Sequence, residues 1–429
     1  MATTYLTRTA SANNNSVGKW TFSCWIKRNA ISVETNIISF YTDGNNRSAL
    51  RFDSDDKLRF YEVVSGSTVV TKLTNRLFRD PTAWYHIMLA VDKTLGSPET
   101  QIYINGVEET SFATDDGYTQ DQAGNFNQAI PIFINAESAG SGVQGICLSH
   151  VHFVDGTQYS PTTFGSTDST TGIWKINTNP SVTYGTNGFF ILKDGNSVTD
   201  QSGQSNNLTV GGGTLTKSED CPSNVFATFN PLVWENRNIA LTNGNGTATN
   251  TDTANWQAKY AMSTLAMSAG KYYAEFKVGN IGTNQLYVAG VIAEPESQNI
   301  NSSIGSFGLG LYSPGKIFNL GSEAQTSLGA IVADDIIGVA FDVTNGTLQF
   351  YKNGSTIGSQ ITSIATAGKL WRFGVNGYDG TWVMHSNFGN GYFGTTAVSS
   401  AGTNASGNGI FEYDVPTGYT ALSTKGLNE

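Results

Sequence analysis

Charge is the first thing this sequence lacks. Only 14% of its 429 residues are Asp, Glu, Lys or Arg, against about a quarter in an ordinary globular chain. The charge that is present leans acidic, with a formal net value of −10 and no basic run. That excludes binding to a nucleic-acid backbone, which needs clustered Lys and Arg. Cysteine is almost missing: Cys24, Cys147 and Cys221 are odd in number and far apart, which excludes a disulfide framework and a zinc pattern. Cys24 in "TFSCWI" and Cys147 in "GICLSHVHF" read as thiols buried in strands. No apolar run approaches the length of a membrane span, so no membrane insertion is expected. The opening "MATTYLTRTASANNN" lacks the apolar core of a secretory signal, so the expectation is a chain made in the cytoplasm and not exported by the usual route. Helical periodicity is absent too. Its best candidate, "YAMSTLAMSAGK" (260–271), is short and reads better as a strand followed by a turn.

What the chain has instead is alternation and turns. Glycine is abundant (48 residues) and proline scarce (10), which suits many short strands joined tightly. "WTFSCWIKR" places Trp20, Phe22, Cys24 and Ile26 on one face. "WYHIMLAVD" places Tyr85, Ile87, Leu89 and Val91 on one face and Trp84, His86, Met88 and Ala90 on the other. A strand apolar on both faces expects sheet on one side and more protein on the other. "DIIGVAFDV" repeats the form, with Ile337, Val339, Phe341 and Val343 opposite Ile336, Gly338, Ala340 and Asp342. Each two-faced strand is followed by an alternating one that runs into Asn-Gly, as "QIYINGVEET" in the first half and "QFYKNGSTIG" in the second. Asn-Gly supplies the positive φ values of a type I′ hairpin turn. The same device used twice predicts an all-β chain of two tandem antiparallel β-sandwiches. The expected division is a sandwich over 1–209, a linker over 210–223, a second sandwich over 224–393 and a C-terminal strap over 394–429.

The first half resembles a laminin-G-like or concanavalin-like sandwich through "WTFSCWIKR", "FRDPTAWYHIMLAVD", "QIYINGVEE" and "LSHVHFVDGTQYSPTTFG". The second half resembles a SPRY domain through "GKYYAEFKV", "DIIGVAFDVTNGTLQFYKNG" and "HSNFG". Their serial order, with the joining "CPSNVFATFNPL" and the ending "VPTGYTALS", is similar to that of structural proteins of marine phages, cyanophages especially. The resemblance implies a concanavalin-like jelly roll followed by a SPRY-like sandwich. It also implies a non-enzymatic virion surface protein, a head decoration, knob or fibre that adheres to host or environmental glycans. Its partners would be other virion proteins, the capsid first, and it would sit in many copies on the particle's outer surface. A tail appendage or receptor-binding module is the alternative. The lack of a heptad or collagen-like stem tilts the choice toward the head. A glycan-active enzyme is the third reading.

The chemistry-bearing residues do not assemble into a catalytic set. Concanavalin-like hydrolases that resemble laminarinases carry Glu-x-Asp-x-Glu on one strand face, and no such pattern occurs here. The acidic groups Asp53, Asp55, Asp56 and Glu412, Asp414 read as solvated turns. His150 and His152 lie two apart, a spacing usable by a metal, but read equally as sheet histidines, and His86 and His385 are isolated. No Gly-x-Ser-x-Gly, His-Glu-x-x-His or Walker-type loop is present. No catalytic residue, resident metal or cofactor is therefore assigned, with a rim calcium at Asp43, Asn45 and Asn46 or at the Asp53 cluster as the alternative. Trp234, Tyr378 and Trp382 stand beside turn residues and are the glycan-stacking candidates, each weighed against core packing. In the tail, Phe411, Tyr413 and Tyr419 are the docking candidates, either onto the chain itself or as an anchor on a neighbour. Removing residues from Gly409 onward is expected to leave both sandwiches folded.

Overall fold

The alternating segments all become strands of antiparallel sheets in the computed structural model, which describes residues 3–11, 18–193, 195, 197–232, 239–250, 260–282, 286–294, 304, 308–377 and 380–428. The chain divides into two units, Met1–Lys217 and Ser218–Glu429. The expected linker is shorter than 210–223. Thr209–Gly212 is an edge strand paired with Tyr5–Thr7 of the first unit, while Asp220 already accepts the Phe226 N–H in the second.

The first unit stacks two sheets. The eight-stranded one runs, in spatial order, Phe112–Asp116, Ser67–Leu77, Lys57–Val64, Asn46–Phe52, Thr35–Asp43, Pro131–Ile134, Tyr5–Thr9 and Thr209–Gly212. The six-stranded one runs Phe189–Ile191, Ile146–Asp155, Lys19–Arg28, Trp84–Asp92, Glu99–Ile104 and Val107–Glu108. Trp20, Phe22, Cys24 and Ile26 all face the core between them, as alternation requires. Trp20 stacks on Phe126 at 4.5 Å, and Phe40, Phe60 and Phe153 ring the pair. Each such ring contributes on the order of 2 kcal/mol through the area it removes from water. Burial pushes the Cys24 thiol far up, so it is an inert core group.

The second face of the six-stranded sheet is covered as well. Met88 and Ala90 form a smaller core with Val154, Phe164, Tyr184 and Phe190. The cover is the chain after Asp155, which carries a hairpin of Gly165–Thr167 and Trp174–Ile176. This is the "more protein" that a two-faced strand required.

The second unit repeats the plan. Its larger sheet runs Ile239–Thr242, Thr247–Asn250, Trp382–Asn387, Lys271–Asn280, Ile336–Asp342, Thr347–Lys352 and Ser355–Ile361. The facing sheet runs Tyr260–Met262, Leu370–Gly377, Leu286–Glu294, Gly308–Tyr312, Lys316–Asn319 and Ser322–Gln325. On Lys271–Asn280, Tyr272, Ala274, Phe276 and Val278 point into the core with Phe341, Trp371 and Phe388. Tyr273 and Glu275, on the opposite face, are also buried because the tail lies over them.

Both Asn-Gly pairs are type I′ turns with positive φ at both residues: Asn105 49° and Gly106 78°, Asn353 48° and Gly354 80°. The asparagines do more than turn the chain. Asn105 N–H donates to the His86 carbonyl (2.9 Å) while its Oδ1 accepts the His86 N–H (2.8 Å). Asn353 makes the same pair of bonds with Ile336, each at 2.8 Å. In both units the asparagine thus extends the ladder by one rung, and its side-chain oxygen satisfies an N–H in the first residues of the partner strand, His86 in one and Ile336 in the other.

The tail is part of the second sandwich. Thr420–Ala421 adds a parallel rung to Tyr272–Tyr273, Leu422 is fully buried in the main core, and Phe411 contacts Tyr273 with ring centroids 5.1 Å apart. The expectation that residues from Gly409 onward can be removed without loss is corrected, because Phe226, Tyr273 and Ala340 share one cluster with Phe411, Val415 and Ala421.

Candidate functional site

The sequence-nominated residues scatter. Trp234 and Tyr378 lie outside the described residues. Trp382 is 0% exposed inside the second core, so its nomination as a glycan platform is corrected. The indole was placed at a turn in sequence, but strand pairing with Asn250 turns it inward. Gly377 makes room for it, since a Cβ there would stand 2.0 Å from Trp382 Nε1.

His86, His150 and His152 are buried groups with internal partners, and half-buried His385 bonds the Thr247 hydroxyl. A bulge between Ser149 and His152 interrupts the alternation, and His150 takes φ 49° at the bulge. His152 stacks on Phe190 at 3.9 Å and its Nδ1 bonds the Tyr184 hydroxyl at 2.8 Å. Burial holds its pKa far below the usual value, helped by His150 and His86. His86 stands 2.9 Å from the Ser23 hydroxyl through Nε2, which by geometry alone looks like a nucleophile and its base. The polarity is the reverse. Trp174 Nε1–H, which can only donate, reaches His86 Nδ1 at 3.1 Å. Nδ1 therefore accepts, the ring proton sits on Nε2, and His86 donates to Ser23 instead of withdrawing its proton. Burial lowers the His86 pKa to about 3. Nitrogen-15 NMR is expected to show a neutral, Nε2-protonated His86 that does not titrate between about pH 5 and 8; an Nδ1-protonated ring would refute this reading.

The carboxylates offered for calcium are engaged by the chain's own donors. Asp43 Oδ1 accepts the N–H groups of Asn45 (2.8 Å) and Asn46 (2.9 Å), an Asx turn. Asp53 pairs with Arg51 and Arg59, Asp55 with Lys57, and Asp56 with Arg28 and Arg79. Among the described residues no group of three or more His, Cys, Asp or Glu is placed to hold a metal ion, and no helix is long and apolar enough to cross a membrane.

The tail residues do converge. Gly402 N–H donates to the Phe411 carbonyl (3.0 Å) and Val415 N–H to the Thr403 carbonyl (2.8 Å), so the strap doubles back on itself. Its two runs border an open cleft of 370 Å³ lined by Ser400, Ala401, Gly402, Glu412, Tyr413 and Asp414. The Glu412 carboxylate accepts the Ser399 N–H (2.7 Å), and Asp414 Oδ1 accepts the N–H (2.6 Å) and hydroxyl (2.8 Å) of Thr403. Those bonds hold Asp414 below the ordinary carboxyl range. Tyr413 is half-buried and packs on the hairpin glycine: a Cβ at Gly354 would lie 2.6 Å from its ring. Tyr419 joins the cluster around Phe411 and lies 6.0 Å from the Lys271 ammonium. The first unit has the same contact, with the Trp174 ring 2.4 Å from a Cβ built on Gly106. Sequence reasoning nominated Tyr413 but missed Ser400, Gly402 and Glu275, which ties the strap down through the N–H groups of Glu412 and Tyr413. Alternation in "YYAEFKV" sets Glu275 on the face opposite Ala274 and Phe276, and only the tail's path shows that this face is covered.

Residues 2–146 match the Laminin_G_3 family model, described as concanavalin A-like lectin/glucanases superfamily, and residues 271–390 match the SPRY domain model. No curated protein matches the chain. Among solved structures, the chain is similar to the TRIM65 PSpry domain (17% identity, TM-score 0.30, covering 38% of this chain and 91% of that one). It is likewise similar to the SPRY domain of human HERC1 (15%, 0.29, 34% and 91%) and to a further human SPRY domain (15%, 0.26, 35% and 94%). The resemblance to marine-phage structural proteins is corrected. What matches is a pair of general modules, the Laminin_G_3 and SPRY family models. The virion, capsid-decoration and head-fibre readings are withdrawn with it, because two widespread folds in series describe an architecture and not a source. Both matched stretches stop short of the segment that covers the outer face of their unit, the chain after Asp155 in one and the strap after Asn390 in the other. The chain is an all-β protein whose antiparallel sheets match a concanavalin A-like domain followed by a SPRY-like sandwich.

Proposed function

We propose that this chain is a binding protein that holds a glycan in the strap cleft of its second unit. The observation that carries the reading is one open concavity of 370 Å³ whose lining includes a tyrosine, a glutamate, an aspartate and a serine. Sugars present C–H faces that stack on aromatic rings and hydroxyls that donate to carboxylates, so this set of groups suits them. Glu412 and Asp414 are already held by Ser399 and Thr403, so little ordering remains for binding to impose. The lectin-type description of the family matched by the first unit supports the ligand class without placing the site.

Screening the full chain on a glycan array should give binders, and Tyr413→Ala should weaken the best of them by about tenfold or more, the size of a stacking contact plus its burial. The Ala variant must keep the wild-type far-UV spectrum for the comparison to count. An array without binders, or undiminished binding by the Ala variant, would end the proposal.

A further inference from the structure

The strap is fastened to the second sandwich at one point of unusual chemistry. Glu275, midway along Lys271–Asn280, is 0% exposed on the sheet face that the strap covers. Its Oε2 accepts the Glu412 N–H at 2.8 Å and its Oε1 accepts the Tyr413 N–H at 2.9 Å. The Tyr273 hydroxyl stands 3.3 Å from Oε1, and Asn387 Nδ2 3.4 Å from Oε2. Opposite it on the neighbouring strand is Gly338, which brings no charge and leaves room for the Tyr273 hydroxyl. No Lys, Arg or His pairs with it among the described residues, and the charge facing it from the strap is Glu412, of its own sign. Tyr351, packed on Tyr273, and Tyr413 also stand around it, and burial raises both phenols above their ordinary value.

A carboxylate without a cation in such a place is costly to ionise, whereas a protonated one can donate to Tyr273 Oη and still accept both strap N–H groups. We propose that the strap is a proton-controlled latch: protonated Glu275 holds residues 411–413 on the sheet, and ionised Glu275 is relieved when they lift and water reaches it. Glu412, Tyr413 and Asp414 line the cleft, so the latch also sets whether that cleft is formed, whatever its ligand.

The direction follows from proton linkage. Burial raises the Glu275 carboxyl to about 7, against the opposing pull of the Glu412 and Tyr413 N–H groups. A carboxyl raised above its free value of 4.5 favours the closed strap fully below that value. The advantage is then lost as pH climbs through the folded value. Between about pH 6 and 8 the open fraction should rise about tenfold, because the open state releases its proton freely while the closed state resists.

Hydrogen exchange of the Glu412 and Tyr413 amides, corrected for the intrinsic pH dependence of exchange, reads this directly in the full chain. The expected result is protection that falls about tenfold from pH 6 to pH 8 in the wild type and stays flat in Glu275→Gln, whose neutral amide keeps an acceptor. Equal protection at both pH values in the wild type, or the same decline in the Gln variant, overturns the latch. Carbon-13 titration of the Glu275 carboxyl in the wild type provides a second readout should the variant fold poorly: a midpoint near that of a free glutamate also overturns it.

Discussion

Asp56→Ala is expected to destabilise the first unit by about 3–5 kcal/mol, the scale found when one partner of a buried ion pair is removed. Arg28 and Asp56 are both buried, with Nη1 and Oδ1 3.1 Å apart. Arg28 also donates to the Phe78 carbonyl at 2.7 Å and lies over the Phe52 ring at 4.5 Å, so it has no path to water. Asp56 gathers the Ser32 N–H at 2.6 Å and Arg79 Nε at 3.2 Å. Burial pushes the Asp56 carboxyl up, yet Ser32, Arg28 and Arg79 together hold it below the ordinary range. Its contribution to stability is therefore present above its unfolded value of 3.8 and is lost as pH falls through the depressed folded one. Removing the carboxylate strands a cation in the core and frees the loop at Ser32. Chemical denaturation of the wild type and variant should show the first unit's midpoint falling while the second unit's stays put. A change under about 1 kcal/mol would mean that water reaches Arg28.

Gly354→Val is expected to cost the second unit about 3 kcal/mol, from two sources that add. A β-branched residue at φ 80° is strained by roughly 1–3 kcal/mol. Its Cβ would also stand 2.6 Å from the Tyr413 ring, so the strap must shift. Gly354→Ala separates the two, because it keeps most of the clash and reduces the strain. If melting of the Val variant is unchanged, neither the turn nor the ring-on-glycine contact exists as described. Loss of glycan binding by the Ala variant with little loss of stability would tie the strap's position to the cleft.

Much of the architecture was readable from residue order. Period-two alternation placed Trp20, Phe22, Cys24 and Ile26 in one core and Phe341 and Val343 in another, because a pleated strand has no other way to present its side chains. Asn-Gly announced two hairpins, because few residue pairs tolerate positive φ twice in succession. The two-faced strand Trp84–Asp92 even foretold a third layer. These are local properties, carried by each segment before it meets another.

Which polar and aromatic groups face solvent was settled only by tertiary structure. Trp382 stood beside a turn and became core, Glu275 lies on the face opposite the core and is buried all the same, and Phe411 of the tail was absorbed by its own sandwich. The reversed Ser23–His86 hydrogen bond depends on Trp174, which arrives from a hairpin 88 residues further on. For Glu275 and His86 the deciding neighbour comes from a distant part of the chain that lies over the sheet, and strand periodicity carries no information about what will cover a face. Sequence alone determined the sheets and their turns. The covering segments decided the cleft, the latch and the chemistry of every histidine assigned above, because burial, and with it charge and tautomer, is a property of the assembled surface and not of the strand.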